Sequence, residues 1–194
     1  MSCVSLRIPA VARSRRASSR AGARGSVRVA ASAEGVSRVG GRWIDEDDGI
    51  ARETFGFDLG GEALAKHTFT FRDGQEGVGV TVGRPLGIVF EEKLQKCVAV
   101  EVAPGSNAEK AGVREGDILR ATTAVFQLTA PPDVSTWMQP NQQIQAQAYF
   151  VADGQSFKKC MNAIISNGES VDTPEGDKRE IEYVSLVLER PSIR

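Results

Sequence analysis

Few side chains in this sequence have the types and spacing that chemistry requires, and each candidate lacks its companions. Ser156-Phe157-Lys158-Lys159 fits S-x-x-K, in which a lysine activates a serine nucleophile, but the accompanying S-D-N and K-T-G strings and any G-x-S-x-G elbow are absent. His67 is the only histidine, stands in no recognised relation to a serine or cysteine, and is expected to be a surface strand residue. Cys3, Cys97 and Cys160 form no C-x-x-C pair, so a zinc or iron site has no ligand set. Cys97 and Cys160 are expected to be buried thiols; a reversible disulfide between them would need their Cα atoms within about 7 Å. The acid run Asp45-Glu46-Asp47-Asp48 lacks the glycine and distal glutamate of a calcium loop and reads as a solvated face. Gly77-Val78-Gly79-Val80-Thr81-Val82-Gly83 misses G-x-G-x-x-G by one position and precedes no helical pattern, which removes a dinucleotide site. The expectation is therefore a protein that is not an enzyme, with no catalytic residues, no metal and no cofactor.

The charges are distributed unevenly. The 194 residues carry 24 basic and 25 acidic side chains, yet residues 1–31 hold seven arginines (Arg7, Arg13, Arg15, Arg16, Arg20, Arg24, Arg28) and no acid. That opening is rich in Arg, Ser and Ala without an apolar core, the composition of an organellar transit peptide. Val27-Arg28-Val29-Ala30-Ala31 is similar to a chloroplast cleavage site, so removal is expected near Ala30 or Ala31 and Cys3 would leave with the leader. The expected location is the chloroplast, in the stroma or on the stromal face of the thylakoid, with the mitochondrial matrix as the other reading. The acidic remainder argues against nucleic acid, whose binding depends on cations that neutralise phosphates. No apolar run reaches the length of a membrane-spanning helix.

Residues 32–75 carry glycine pairs and the acid run and read as a flexible N-terminal extension, with His67-Thr68-Phe69-Thr70-Phe71 as an edge strand. From residue 76 strand patterns follow one another: Val78-Val80-Val82 with alternating small residues, Ile88 to Glu92, and Cys97 to Val102. Ser106 is placed to cap a short helix that Gly112 ends in the left-handed conformation, and Gly116-Asp117 turns into a strand opening at Ile118. Residues 127–155, with Pro131, Pro132, Trp137, Pro140 and a glutamine-rich stretch, read as an insertion containing a strand or hairpin arm at Ile144 to Phe150. Phe157, Cys160, Met161, Ile164 and Ile165 then recur at helical spacing behind a Ser156 cap, and Tyr183 to Leu188 is a closing strand.

This order resembles a PDZ domain over residues 76–191, the insertion at 127–155 excepted. Pro85-Leu86-Gly87-Ile88 looks like the x-Φ-G-Φ loop of that family, Pro104 to Gly112 like its PGSxAxxAG helix, and Gly116-Asp117-Ile118-Leu119 like its GDxIL turn. The resemblance implies an α+β fold: a small, partly open antiparallel β-barrel or sandwich with two helices and a long insertion before the second helix. It also implies a peptide-binding adaptor or scaffold. The amides of Leu86, Gly87 and Ile88 would converge on a carboxylate, and Gly87 would remove the side chain that blocks approach. The ligand would join the sheet as an extra strand. Arg84 would add positive charge, while Leu86, Ile88, Phe90, Phe157, Met161 and Ile164 would line the groove. Phe157 stands where many PDZ domains carry a histidine, so the implied ligand is a protein C-terminus or internal peptide of the hydrophobic Φ-x-Φ type. Peripheral contact with a thylakoid membrane complex is the setting this implies. The other reading is a structural subunit whose groove is filled by its own Trp137, Tyr149 or Phe150.

Overall fold

The computed structural model describes residues 35–39, 42–45, 48–60, 64–72, 74–129, 143–172 and 177–191. The transit peptide expected at 1–31, and Trp137 with its neighbouring prolines, lie outside the described residues.

The elements in chain order are β1 (Val36–Arg38), β2 (Trp43–Asp45), β3 (Ile50–Phe57), β4 (Ala65–Arg72), β5 (Gln75–Gly83), β6 (Ile88–Lys93), β7 (Lys96–Val102), α1 (Asn107–Ala111), β8 (Ile118–Thr129), β9 (Gln143–Val151), α2 (Phe157–Ser166), β10 (Ser170–Asp172), β11 (Lys178–Glu180) and β12 (Tyr183–Pro191). The described residues make an α+β structure, mostly antiparallel sheet with two helices. A six-stranded sheet runs β5-β12-β8-β7-β6, with β9 also on β8; it stays open rather than closing into a barrel.

Strand alternation gives this sheet two buried faces. On β12, Val184, Leu186 and Leu188 join the core beneath the helices, whereas Val187 joins a second core on the opposite side. β9 divides likewise, Phe150 packing on the first core and Tyr149 and Val151 on the second.

The second core corrects the expectation of a flexible extension at 32–75. The described part of that segment forms a four-stranded antiparallel sheet in which β3 pairs with β4 along one edge and with β1 and β2 along the other. Its Phe55, Phe57, Phe69 and Phe71 are 0–3% exposed and press on the large sheet. The glycines of β5 make room for them: a Cβ at Gly77 would stand 2.7 Å from Phe71 Cζ, and one at Gly79 would stand 3.0 Å from Phe55 Cδ1. Phe57 stacks on Tyr149 at 5.3 Å between ring centroids, and His67 is half-buried beside the rings of Phe69 and Tyr149. Its strand is the one expected, but the imidazole belongs to an aromatic cluster, not to open surface. Burial of this aromatic layer is worth several kcal/mol per phenyl ring.

The helices carry the expected stops. Ser106 Oγ accepts from the Glu109 amide at 3.2 Å, and Gly112 ends α1 at φ +90°. Ser156 occupies the N-cap position of α2, yet its hydroxyl makes no capping bond. At the far end Asn167 is fully buried and its Nδ2 donates to Thr123 O at 2.6 Å, which locks α2 to β8. The inward face of α2 is Cys160 and Ala163, flanked by Phe157, Met161 and Ile164. Ile165, expected on that face, is 69% exposed. At about 100° per residue it lies 140° round the helix from Cys160.

Candidate functional site

β6 lies at one end of the large sheet, and among the described residues it pairs only with β7. Ala103 N–H donates to Gly87 O at 2.9 Å, so the facing pair Ile88↔Val102 is of the kind that exchanges no hydrogen bonds. The N–H and C=O of Ile88 therefore point to the open side. The pairing shifts from Val89↔Glu101 to Phe90↔Ala99, which places the extra residue, Val100, on β7. β6 itself remains regular, with Ile88, Phe90 and Glu92 on one face.

In the loop before β6, Arg84 N–H donates to Glu182 O at 3.2 Å, and beyond it the carbonyls of Pro85, Leu86 and Gly87 are claimed. Asn107 Nδ2 donates to Gly83 O and to Pro85 O, each at 3.1 Å, and Ala108 N–H donates to Leu86 O at 3.0 Å. With Ala103 on Gly87 O, the carbonyls of Pro85, Leu86 and Gly87 turn toward α1 and the segment that joins it to β7. Among the described residues, the N–H groups of Leu86 and Gly87 have no acceptor. Gly87 sits at φ +75°, and a Cβ there would stand 2.4 Å from Ser106 Cβ, so only glycine allows this closeness. Successive amides turned outward in this way form a concavity that suits an anion.

Apolar side chains of the loop, β6 and α2 gather on one core. Leu86, Ile88 and Phe90 from one side and Phe157, Met161 and Ile164 from α2 are all half-buried and pack against one core, whose floor includes Val82, Cys97, Leu119 and Cys160. The structure thus brings together the lining residues expected from the sequence. Arg84 flanks the loop, but its Nη1 donates to Asn167 O at 3.3 Å and its guanidinium covers Gly168. A cation at the C-terminal end of α2 is favoured there by the helix dipole. It is held by the protein itself rather than standing free over the loop.

The two cysteines are free and buried, as expected. Burial first, and then the facing Cys160, pushes the Cys97 thiol up to about 12; burial likewise raises Cys160. A thiol so protonated is a poor nucleophile, and the pair behaves as floor rather than as a reactive couple.

Two features were missed at the level of sequence. Asp117 of the Gly116-Asp117 turn is buried, receives Arg190 through both oxygens at 2.9 and 2.7 Å, and accepts from the Arg114 amide at 2.9 Å. Arg120 is clamped between Asp153, at 2.7 and 2.8 Å, and buried Glu189, which also receives Gln75 at 2.8 Å. Arg120 rests 5.1 Å from the centre of the Phe71 ring, so this ionic group joins the two sheets. Glu189 had a signal, as the one acid that ends an otherwise apolar strand. Among the described residues, no cluster of His, Cys, Asp and Glu is arranged to hold a metal ion. The chain matches no family model, no curated protein and no solved structure.

Proposed function

We propose that this protein is a non-catalytic, PDZ-like adaptor that captures the C-terminus of another protein by adding it as a strand beside β6. The observation that carries the reading is the coincidence of three features: an edge of β6 that no described strand covers, the Leu86 and Gly87 amides without an acceptor among the described residues, and the half-buried apolar side chains of the loop, β6 and α2 on one core. Each supplies one component of recognition. The edge offers main-chain hydrogen bonds, the amides suit the terminal carboxylate, and the apolar side chains would take alternate ligand residues. Phe157 at the head of α2 has no hydrogen-bonding atom in its ring, so the residue two before the ligand's end is apolar and the ligand is Φ-x-Φ. An internal hydrophobic segment is the other form of ligand this groove would take.

The competing reading, a structural subunit that covers its own groove, loses one of its supports because Tyr149 is stacked on Phe57 at the opposite face of the sheet. The arginine-rich opening supports delivery to the chloroplast, where the adaptor would serve a stromal or thylakoid-associated assembly. The test is binding of the full chain to C-terminal peptides presented both as free acids and as amides. Binding of Φ-x-Φ acids that amidation abolishes is the expected result. Equal binding of acid and amide would remove the carboxylate from the mechanism.

A further inference from the structure

A cleft of about 940 Å3 borders the same core through Cys97 and Leu119; Glu92 near the end of β6 and Ser156 at the head of α2 also line it, and it reaches Thr70 and Arg72 of the four-stranded sheet. It opens where β7 parts from β8: the two pair at Val98↔Ile118, and from Ala121 onward the same edge of β8 is occupied by β9. Its far wall therefore belongs to the layer that the resemblance in the sequence does not include.

Strand geometry connects this cleft to the groove. A peptide antiparallel to β6, with its carboxylate at the Pro85–Ile88 loop, turns every second side chain toward α2. Its last residue then lies beside Ile88, the third from the end beside Phe90, and the fifth from the end beside Glu92, because β6 has no bulge of its own. The residues before that fifth one enter the cleft.

The ionic groups at the entrance are not equally available. Arg120 is held by Asp153 and Glu189, and Lys96 Nζ lies 3.4 Å from Glu189 Oε1. Glu92 is exposed and, among the described residues, makes no ion pair. It shares the face of β6 that carries Ile88 and Phe90, and it lines the cleft together with Ser156, which places it on the α2 side.

We propose that the cleft continues the peptide site, receiving the upstream segment of an extended C-terminal ligand and selecting lysine or arginine at the fifth residue from its end through Glu92. The inference rests on the strand-addition reading above. It makes the four-stranded sheet part of the recognition surface.

The experiment uses the full chain and N-acetylated ten-residue peptides ending in Φ-x-Φ, with Lys, Ala or Glu at the fifth position from the end. Each is compared with its five-residue truncation and its C-terminal amide. The lysine peptide is expected to bind about three-fold tighter than the alanine peptide, and the glutamate peptide weaker still, as befits a partly exposed ion pair. Glu92→Lys reverses that order while amidation still abolishes binding. The ten-residue lysine peptide binds more tightly than its truncation and slows amide hydrogen exchange at residues 70–72 and 153–156, which the truncation leaves unchanged. If the carboxylate is required but the fifth residue and the added length make no difference, the groove stands and the extension falls. If no peptide binds in either form, both fall together.

Discussion

The two faces of the six-stranded sheet share strands but are finished in opposite ways. Toward the four-stranded sheet the core is closed: Phe55 and Phe57 are 0% exposed, the ionic groups between the layers are paired, and the β5 glycines are filled by rings. Toward α2 the floor is equally dry, but the six side chains above it are only half-buried. One face buries its apolar area for stability. The other keeps apolar side chains half-buried beside a strand edge that no described strand covers, which is the difference the proposed groove would use.

The strongest way to break this contrast is to open the closed face. Phe55→Ala is expected to cost about 3–5 kcal/mol, the range for removing a buried ring. It would appear as a lower midpoint in urea unfolding. Below the transition the proposed peptide groove should keep its affinity, because Phe55 belongs to the other core. Affinity and stability lost in proportion would show that the two faces are one cooperative unit and not a frame and a site.

On the open face the largest effect is expected from Gly87→Val. The added Cβ meets Ser106 and must adopt a left-handed φ, so the loop shifts and its amides lose their common direction. Peptide affinity should fall by at least about ten-fold, the equivalent of one or two charge-assisted hydrogen bonds. Circular dichroism should remain that of the native chain. A variant that keeps its affinity would take the loop out of the site.

Phe157→His is the smaller and more selective change. The ring volume is partly conserved while a hydrogen-bonding nitrogen is introduced, so preference two residues before the ligand's end should move from apolar toward Ser or Thr. The expected change is about three- to ten-fold, the worth of one hydrogen bond. Unchanged preference across a peptide array would mean that Phe157 is only a core residue.

What could be read in the sequence follows the same division. The groove side was legible because turns and caps are local: Ser106, Gly112 and Pro85-Leu86-Gly87-Ile88 each require a particular backbone, and the apolar spacing of α2 marks its inner face. Ile165 was misassigned because an apolar residue at the border of a helical stripe is ambiguous by spacing alone. The four-stranded sheet was not read because its evidence is non-local. Phe55-Gly56-Phe57 and Phe69-Thr70-Phe71 look isolated among glycines and acids, and their meaning lies in the bare Gly77 and Gly79 positions of β5, which they fill. Alternating glycine and valine can be recognised as a strand with one face left empty for large side chains. Glu53 misleads in the same way, as an acid on a strand that is fully buried between Arg38, at 2.9 Å, and Arg42, at 3.5 Å.

The subtlest test of the contrast gives each face its own titration. Burial raises the Glu53 carboxyl above its ordinary 4.5, an effect that Arg38 and Arg42 offset only in part. The folded state therefore holds this proton more tightly than the unfolded chain. Its contribution to stability is fully present below about 4.5 and is lost as pH climbs through the raised value. Glu53→Gln mimics the protonated side chain, so its stability relative to the native chain should rise over that window and then level off. The groove floor has the same sign at the other end of the scale: Cys97, raised from 9.0 to about 12, weakens the fold as pH rises from 9 toward 12. Cys97→Ala should reduce that alkaline slope, the raised Cys160 keeping its own share, while leaving the acid window unchanged. Urea midpoints of the two variants across pH 4–11 separate the faces. If either substitution altered both windows, the closed core and the groove floor would titrate as one unit, and the division between a sealed face and a receptive one would not hold.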